Sequence, residues 1–300
     1  MSMSYKLCTL CARNCKVNRE SGEIGYCRMP AVPVVARASL HMWEEPPISG
    51  ERGSGTIFFS GCSLGCVYCQ NRDISKGWGE AVSEKRLSEI MLELERSGAH
   101  NINLVTPTHF VPSIRRAVVL AKEAGLDIPI VYNTASYDTP NTLRSLHSVV
   151  DIFLADFKYV REDSAEKYSN AKDYPSVAKA AIDEMVRLVG EPKFDTGGMM
   201  TRGVIVRILL LPTHLIEAKL ALRYIYNTYG DKVYISLMSQ YTPMSGVASP
   251  LDRRVSEEEY RSLISYAEEL GVTNAFIQEG SAASESFIPA FDLSGVLPNR

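Results

Sequence analysis

The chain has 300 residues, an ordinary hydrophobic content of 45% and a formal net charge of −3 from 32 Lys+Arg against 35 Asp+Glu. That balance argues against bulk nucleic-acid binding, and no apolar run approaches the ~18 residues of a membrane helix. With no signal-peptide core in MSMSYKLC, the expectation is a soluble cytoplasmic protein with no nucleic-acid and no membrane partner.

The first 50 residues differ from the rest. Residues 5–30 hold four cysteines and two glycines, with no clean helical or strand period. So few apolar residues cannot form a core unaided, which predicts a small metal-stapled unit. A strand is expected over 33–40 and a Pro- and Gly-marked loop over 41–55. From Thr56 onward, strand-like runs at 56–60, 101–106, 129–133, 151–157, 203–211, 233–239 and 273–278 alternate with helical stretches. Leu87, Ile90, Met91 and Leu94 follow the i, i+3, i+4, i+7 pattern, and Gly98 is placed to end that helix. Pro112, Pro140 and Pro175 suit first helical turns, Gly125 and Gly190 suit helix ends, and Ser256 with Glu259 reads as a capping box. Apolar strands separated by helices mean a parallel sheet in an α/β fold. Six βα units and a closing strand predict an incomplete (β/α) barrel over 51–300, with a Cys-rich segment and connecting strand over 1–50. An open doubly wound sheet is the alternative.

All seven cysteines lie between Cys8 and Cys69. An odd number cannot be fully paired within a chain, and clustered thiols in a reducing compartment point to metal. Cys62, Cys66 and Cys69 have the spacing C-x3-C-x2-C and follow the first core strand directly. Three cysteines on a 4Fe–4S cube leave one iron open to a non-protein ligand, whereas closed sites want four. A zinc site completed from elsewhere and buried structural thiols are the alternatives. Cys8, Cys11, Cys15 and Cys27 are enough to close a site alone, with either zinc or an auxiliary 4Fe–4S cluster.

The stretch SGCSLGCVYCQN (60–71) resembles the signature loop of radical S-adenosylmethionine (SAM) enzymes. The longer stretch Phe58–Asp73 is similar to pyruvate formate-lyase-activating enzymes and their uncharacterised homologues. The resemblance implies a (β/α)6-type radical SAM barrel binding a 4Fe–4S cluster and SAM. It implies an oxidoreductase that cleaves SAM to methionine and a 5′-deoxyadenosyl radical and abstracts hydrogen. The substrate it suggests is a glycine of a glycyl-radical partner enzyme; modification of a small molecule, or of another protein or peptide, is the alternative. An electron donor such as flavodoxin or ferredoxin is implied as well. A non-catalytic metal-stabilised binding scaffold is a more remote reading.

Chemistry in a parallel barrel gathers at the C-terminal strand ends. The resemblance places Tyr68 near the adenine, Lys158 at the SAM carboxylate and Arg207 on SAM. It places Asn133, Thr134 and Asp156 where related enzymes hold a cation beside SAM, with Asn133 standing where they carry Asp. The sequence departs from the usual glycine-rich segment at Thr106–His109, where Thr106 or Thr108 would replace the contact to the SAM amine. Tyr241 stands near a position where the activating enzymes carry histidine. His109 reads either as a site residue or as a capping residue. Independently of any resemblance, Arg207 interrupts an apolar strand, so its guanidinium must meet an anion or a polar cavity. Gln278, Glu279 and the polar run Ser281–Ser286 are candidates for the substrate opening.

Overall fold

Runs rich in Val, Ile and Phe become strands because branched and aromatic side chains suit a pleated, buried surface. The computed structural model of the chain describes residues 4–277 and 289–298. Its strands are β1 (Val34–His41), β2 (Ser54–Phe59), β3 (Glu80–Ala81), β4 (Ile102–Val105), β5 (Ile130–Thr134), β6 (Ile152–Asp156), β7 (Lys193–Phe194), β8 (Met200–Leu209), β9 (Tyr234–Met238) and β10 (Ala275–Ile277). Parallel pairing joins β2, β4, β5, β6, β8, β9 and β10 in that spatial order. The order in space is the order in the chain. A doubly wound sheet reverses its strand order midway, so that alternative is excluded. The result is an α/β fold with a singly wound, mostly parallel sheet, whose path ends at β10 on one side and β3 on the other. Two short strands have no sequence forecast: β3 pairs antiparallel with β1, and β7 with β8.

The helices start and stop where the sequence signals them. Ser83 accepts from Arg86 N–H at the start of helix Glu84–Arg96. Pro112, Pro140 and Pro175 occupy first turns, and Ser256–Glu259 forms a complete capping box. The Cys-rich segment has a small core of its own in Tyr5, Cys8 and Leu10, while β1 joins the main sheet through antiparallel pairing with β2.

The two-residue period of the strands sorts one face of the sheet into layers. Val131, Ile152, Leu154 and Ile205 form an apolar layer with Ile48 and Met200, and Ile48 rides on a short helix, Pro46–Ser49. Two residues further along the same strands stand Asn133, Asp156 and Arg207. Parallel register sets Asp156 directly beside Arg207. The polar layer therefore follows from strand parity.

Candidate active site

The cysteine loop begins where β2 ends. Gly61 turns the chain there at φ +84°; a Cβ at this position would lie 2.8 Å from the Cys27 carbonyl oxygen, so no larger residue fits. The Gly61 N–H donates to the Ile74 carbonyl (2.7 Å) and the Val67 N–H to the Tyr168 carbonyl (2.9 Å), which fixes both ends of the loop. Cys62 Sγ accepts from Leu64 N–H at 3.3 Å, and Cys66 Sγ accepts from the Ser169 hydroxyl at 2.9 Å. Burial, then the neighbouring Cys66, pushes the Cys69 thiol up to about 12; burial also raises Cys66, against the pull of Lys158. Among the described residues no three Cys, His, Asp or Glu are arranged to hold a metal ion as they stand. The donor set nonetheless fits a cluster: three soft sulfurs on one loop, two of them receiving a hydrogen bond of the kind that stabilises a ligating thiolate.

Below the loop lies a cavity of about 250 Å³, lined among others by Cys66, Cys69, Tyr68, Asn133, Asp156, Lys158 and Arg207. Asp156 holds both cations: Lys158 Nζ donates to one oxygen (2.6 Å) and Arg207 Nε to the other (2.8 Å). Burial alone would raise Asp156, but Arg207 and Lys158 bring it below the usual carboxylate range. Burial alone would lower Lys158, and the Asp156 carboxylate instead raises it. Arg207 also donates to Asn133 Oδ1 (2.5 Å) and to Glu44 Oε2 (3.2 Å). Its guanidinium thus meets both a carboxylate pair and a polar cavity.

Glu44 is a residue that sequence reasoning missed. It lies in the stretch read as loop, and takes hydrogen bonds from Asn103 (2.9 Å) and Asn133 (3.3 Å) besides Arg207. Burial pushes its carboxyl up, as it does that of Glu45. The available signal was Arg207 itself, because a cation forced into an apolar strand calls for acids, and Glu44-Glu45 is an adjacent acidic pair. Tyr159 and Ser169 were missed too. The Tyr68 and Tyr159 hydroxyls share a hydrogen bond of 2.7 Å, and Tyr159 meets Ser169 at 2.8 Å. An unbroken chain Tyr68–Tyr159–Ser169–Cys66 results.

Two expected site residues stand elsewhere. Thr134 is offset by one from Asn133, so parity turns it away from the cavity, and its hydroxyl donates to Asp138 (2.6 Å). Thr106 lies one residue past β4 at φ +58°, its N–H given to the Asn133 carbonyl (2.9 Å), and it does not line the cavity. Thr108 is buried in the turn after β4. Tyr241 does line the cavity, with its ring edge-on to Tyr68 and its hydroxyl donated to the Leu251 carbonyl (2.6 Å). Gln278, Glu279 and Ser281–Ser286 lie outside the described residues.

His109 has a framework role. Its Nε2 bonds the Ser60 carbonyl (2.7 Å), tying the loop's first residue to the helix that follows β4, and its Nδ1 has no partner among the described residues. Burial, then Arg19, lowers its pKa to about 3. A folded-state value below the unfolded ~6.5 means that stability is full above pH ~6.5 and declines as pH falls towards 3. At about 1.4 kcal/mol per pH unit, His109 should cost the native protein roughly 3 kcal/mol by pH 4. Denaturant titrations of wild type and His109→Gln across pH 7 to 4 check this. Equal slopes in the two proteins would refute it.

A profile of the radical SAM superfamily matches residues 56–212. An uncharacterized protein of Methanocaldococcus jannaschii is 29% identical over 276 residues, which span 88% of this chain and 75% of that protein. Among solved structures, a radical SAM methyltransferase from Sphaerobacter thermophilus superposes with a TM-score of 0.51 at 16% identity, over 75% of this chain and 66% of that one. The FeFe-hydrogenase maturase HydG from Carboxydothermus hydrogenoformans gives a TM-score of 0.54 at 12% identity, over 78% of this chain and 56% of that one. At these identities the likeness is one of fold. No described helix is long and apolar enough to cross a membrane.

Proposed function

Since the chain belongs to the radical SAM superfamily, we propose that Cys62, Cys66 and Cys69 hold its 4Fe–4S cluster, and that the enzyme abstracts hydrogen from a carbon of its substrate. The observation that carries this reading is that Cys66 and Cys69 of the loop line the same cavity as Asp156, Lys158 and Arg207. When bound, the cluster supplies the electron that cleaves SAM to methionine and a 5′-deoxyadenosyl radical. The chain's residues bind and orient. Lys158 and Arg207 offer cationic donors to the methionyl carboxylate, and Asp156 with Glu44 offers carboxylates to the methionyl ammonium. Tyr68, pinned by Tyr159 and Tyr241, presents an immobile ring for the adenine.

Both a glycine Cα of a glycyl-radical partner and a small molecule or peptide residue are candidate substrates. Incubation with candidate substrates deuterated at carbon decides between them, by which one transfers deuterium into 5′-deoxyadenosine. Absence of SAM cleavage by reduced, reconstituted protein would defeat the whole reading.

The partner that delivers the electron belongs to the proposal as well. On the outer side of the loop lies a cleft of about 950 Å³, walled by Cys62 and Cys66 and rimmed by Arg28, Arg72, Lys76 and Lys167. Four cations beside the cluster ligands suit an acidic flavodoxin or ferredoxin. In a Lys76→Glu/Lys167→Glu variant, the flavodoxin concentration for half-maximal rate at low salt should rise about tenfold. The dithionite-driven rate should stay the same. A similar loss with dithionite would remove the docking role.

A further inference from the structure

The N-terminal quartet is built like the three-cysteine loop. Two of its sulfurs receive an N–H, Cys8 from Arg19 Nη1 (3.9 Å) and Cys15 from Tyr26 (3.4 Å), and Cys11 and Cys27 are buried beside them. The backbone wraps tightly around them. Cys8 and the Lys16–Val17 pair exchange backbone hydrogen bonds of 3.0 and 2.9 Å, and Lys16 and Arg28, each following a cysteine, adopt left-handed φ of +59° and +61°. Strained backbone persists only where the surroundings over-determine it. At Gly25 a Cβ would come within 3.0 Å of Cys15 Sγ, so the chain closes on the sulfur itself.

Charge gives a second, independent indication. Arg19 is only 2% exposed, and its guanidinium donates to the carbonyls of Met29 (3.0 Å), His109 (2.5 Å) and Pro30. Among the described residues neither Arg19 nor Arg13 forms an ion pair with a carboxylate. A buried guanidinium without a counter-ion is costly. A divalent ion on four thiolates carries two net negative charges and supplies that counter-ion where Arg19 meets Cys8.

We infer that Cys8, Cys11, Cys15 and Cys27 form a tetrathiolate site for one zinc-class divalent ion, and that this ion positions the Cys62–Cys66 backbone through Arg13 and Tyr26. Binding replaces the four thiol protons, which leave to solvent, and changes no oxidation state. The close wrapping around Cys15 favours one ion over a cube of iron and sulfide. Arg13 carries the connection: its guanidinium lies 3.8 Å from the Tyr26 ring centroid, and donates to the carbonyls of Ser63 (2.7 Å), Asn170 (2.6 Å) and Ser169 (3.2 Å). The Tyr26 hydroxyl donates to the Leu64 carbonyl (2.8 Å). Both residues thus grip the segment between Cys62 and Cys66, and Arg13 also grips the carbonyl of Ser169, whose hydroxyl bonds Cys66.

The positioning half rests on the cluster reading above, whereas the ion itself does not, so zinc content separates the two. Metal analysis of anaerobically reconstituted protein should find about one zinc besides about four irons. Eight irons without zinc, or no metal beyond four irons, would overturn the ion. In Cys11→Ser/Cys27→Ser, zinc should fall at least tenfold, and chelator should strip the cluster several times faster. Arg13→Gln should keep its zinc and yet lose the cluster faster, with an altered EPR signal, because only the grip is removed. Native chelation kinetics and EPR in both variants would overturn the positioning role.

Discussion

Replacing Cys66 by alanine should lower 5′-deoxyadenosine release by roughly three orders of magnitude while leaving the thermal midpoint close to native. Cys66 sits at the wall shared by the inner cavity and the outer cleft, and is the sulfur tied to Tyr68 through Ser169 and Tyr159. Two remaining thiolates cannot hold a cube in which three irons require protein ligands. Ser169→Ala makes the informative contrast. It keeps all three sulfurs and removes the bonds that the Ser169 hydroxyl makes to Cys66 and to Tyr159, so iron content should persist while activity falls about 10- to 100-fold. The cluster's reduction potential should also move to more negative values, since a donor to sulfur favours the more negatively charged reduced state. The measurements are 5′-deoxyadenosine quantified after anaerobic reduction, iron content, and an EPR-monitored redox titration. Native-rate release by Cys66→Ala would end the cluster assignment, and an unshifted potential in Ser169→Ala would end the role given to that hydrogen bond.

The parts of this molecule that were legible in the sequence are those written in local periodicity. Each of the seven parallel strands was marked by an apolar run, and helix ends were marked by residues with a local mechanical reason to stand there, such as Ser256 with Glu259. Even the polar layer was implicit, because Asp156 and Arg207 lie two residues beyond Leu154 and Ile205 on the same faces. Applied strictly, the same parity would have set Thr134 aside. The two-residue strands β3 and β7 carry too few residues for a period to show. Glu44 was hidden for a different reason. Its partners Asn103, Asn133 and Arg207 are at least 59 positions away in the chain, and its own segment, bounded by Pro46-Pro47, shows no period at all. Ser169 closes a short helix, Glu162–Ser169, whose N-cap Arg161 makes no side-chain capping bond. Long-range side-chain pairing leaves no local trace, and the Tyr68–Cys66 hydrogen-bond chain belongs to that class.

Removing the Asp156 carboxylate should be the most damaging single change to the cavity floor. Asp156 holds Lys158 and Arg207 at once, and the exposures of the three side chains are 19%, 16% and 12%. Breaking a buried pair by deleting one partner costs about 3–5 kcal/mol, because the other charge is left uncompensated. Two cations would be stranded here, but Glu44 still faces Arg207 and the cavity admits some water, so roughly 3 kcal/mol is expected for Asp156→Ala. Asp156→Asn, which keeps the shape and one acceptor, should cost less in stability. It should still weaken SAM binding, because Lys158 and Arg207 would no longer be aligned by a shared anion. The sign with pH follows from the lowered folded-state pKa of Asp156: its contribution is full above the unfolded carboxylate value near 4 and is lost as pH falls through the lower folded value. Urea titrations at pH 7 and pH 3 would show the gap between wild type and Asp156→Ala closing at the lower pH, and equilibrium dialysis of SAM would report the binding loss separately. A gap that stays constant between those pH values would mean that the carboxylate acts by shape, and the ion network would then be no part of what holds the site together.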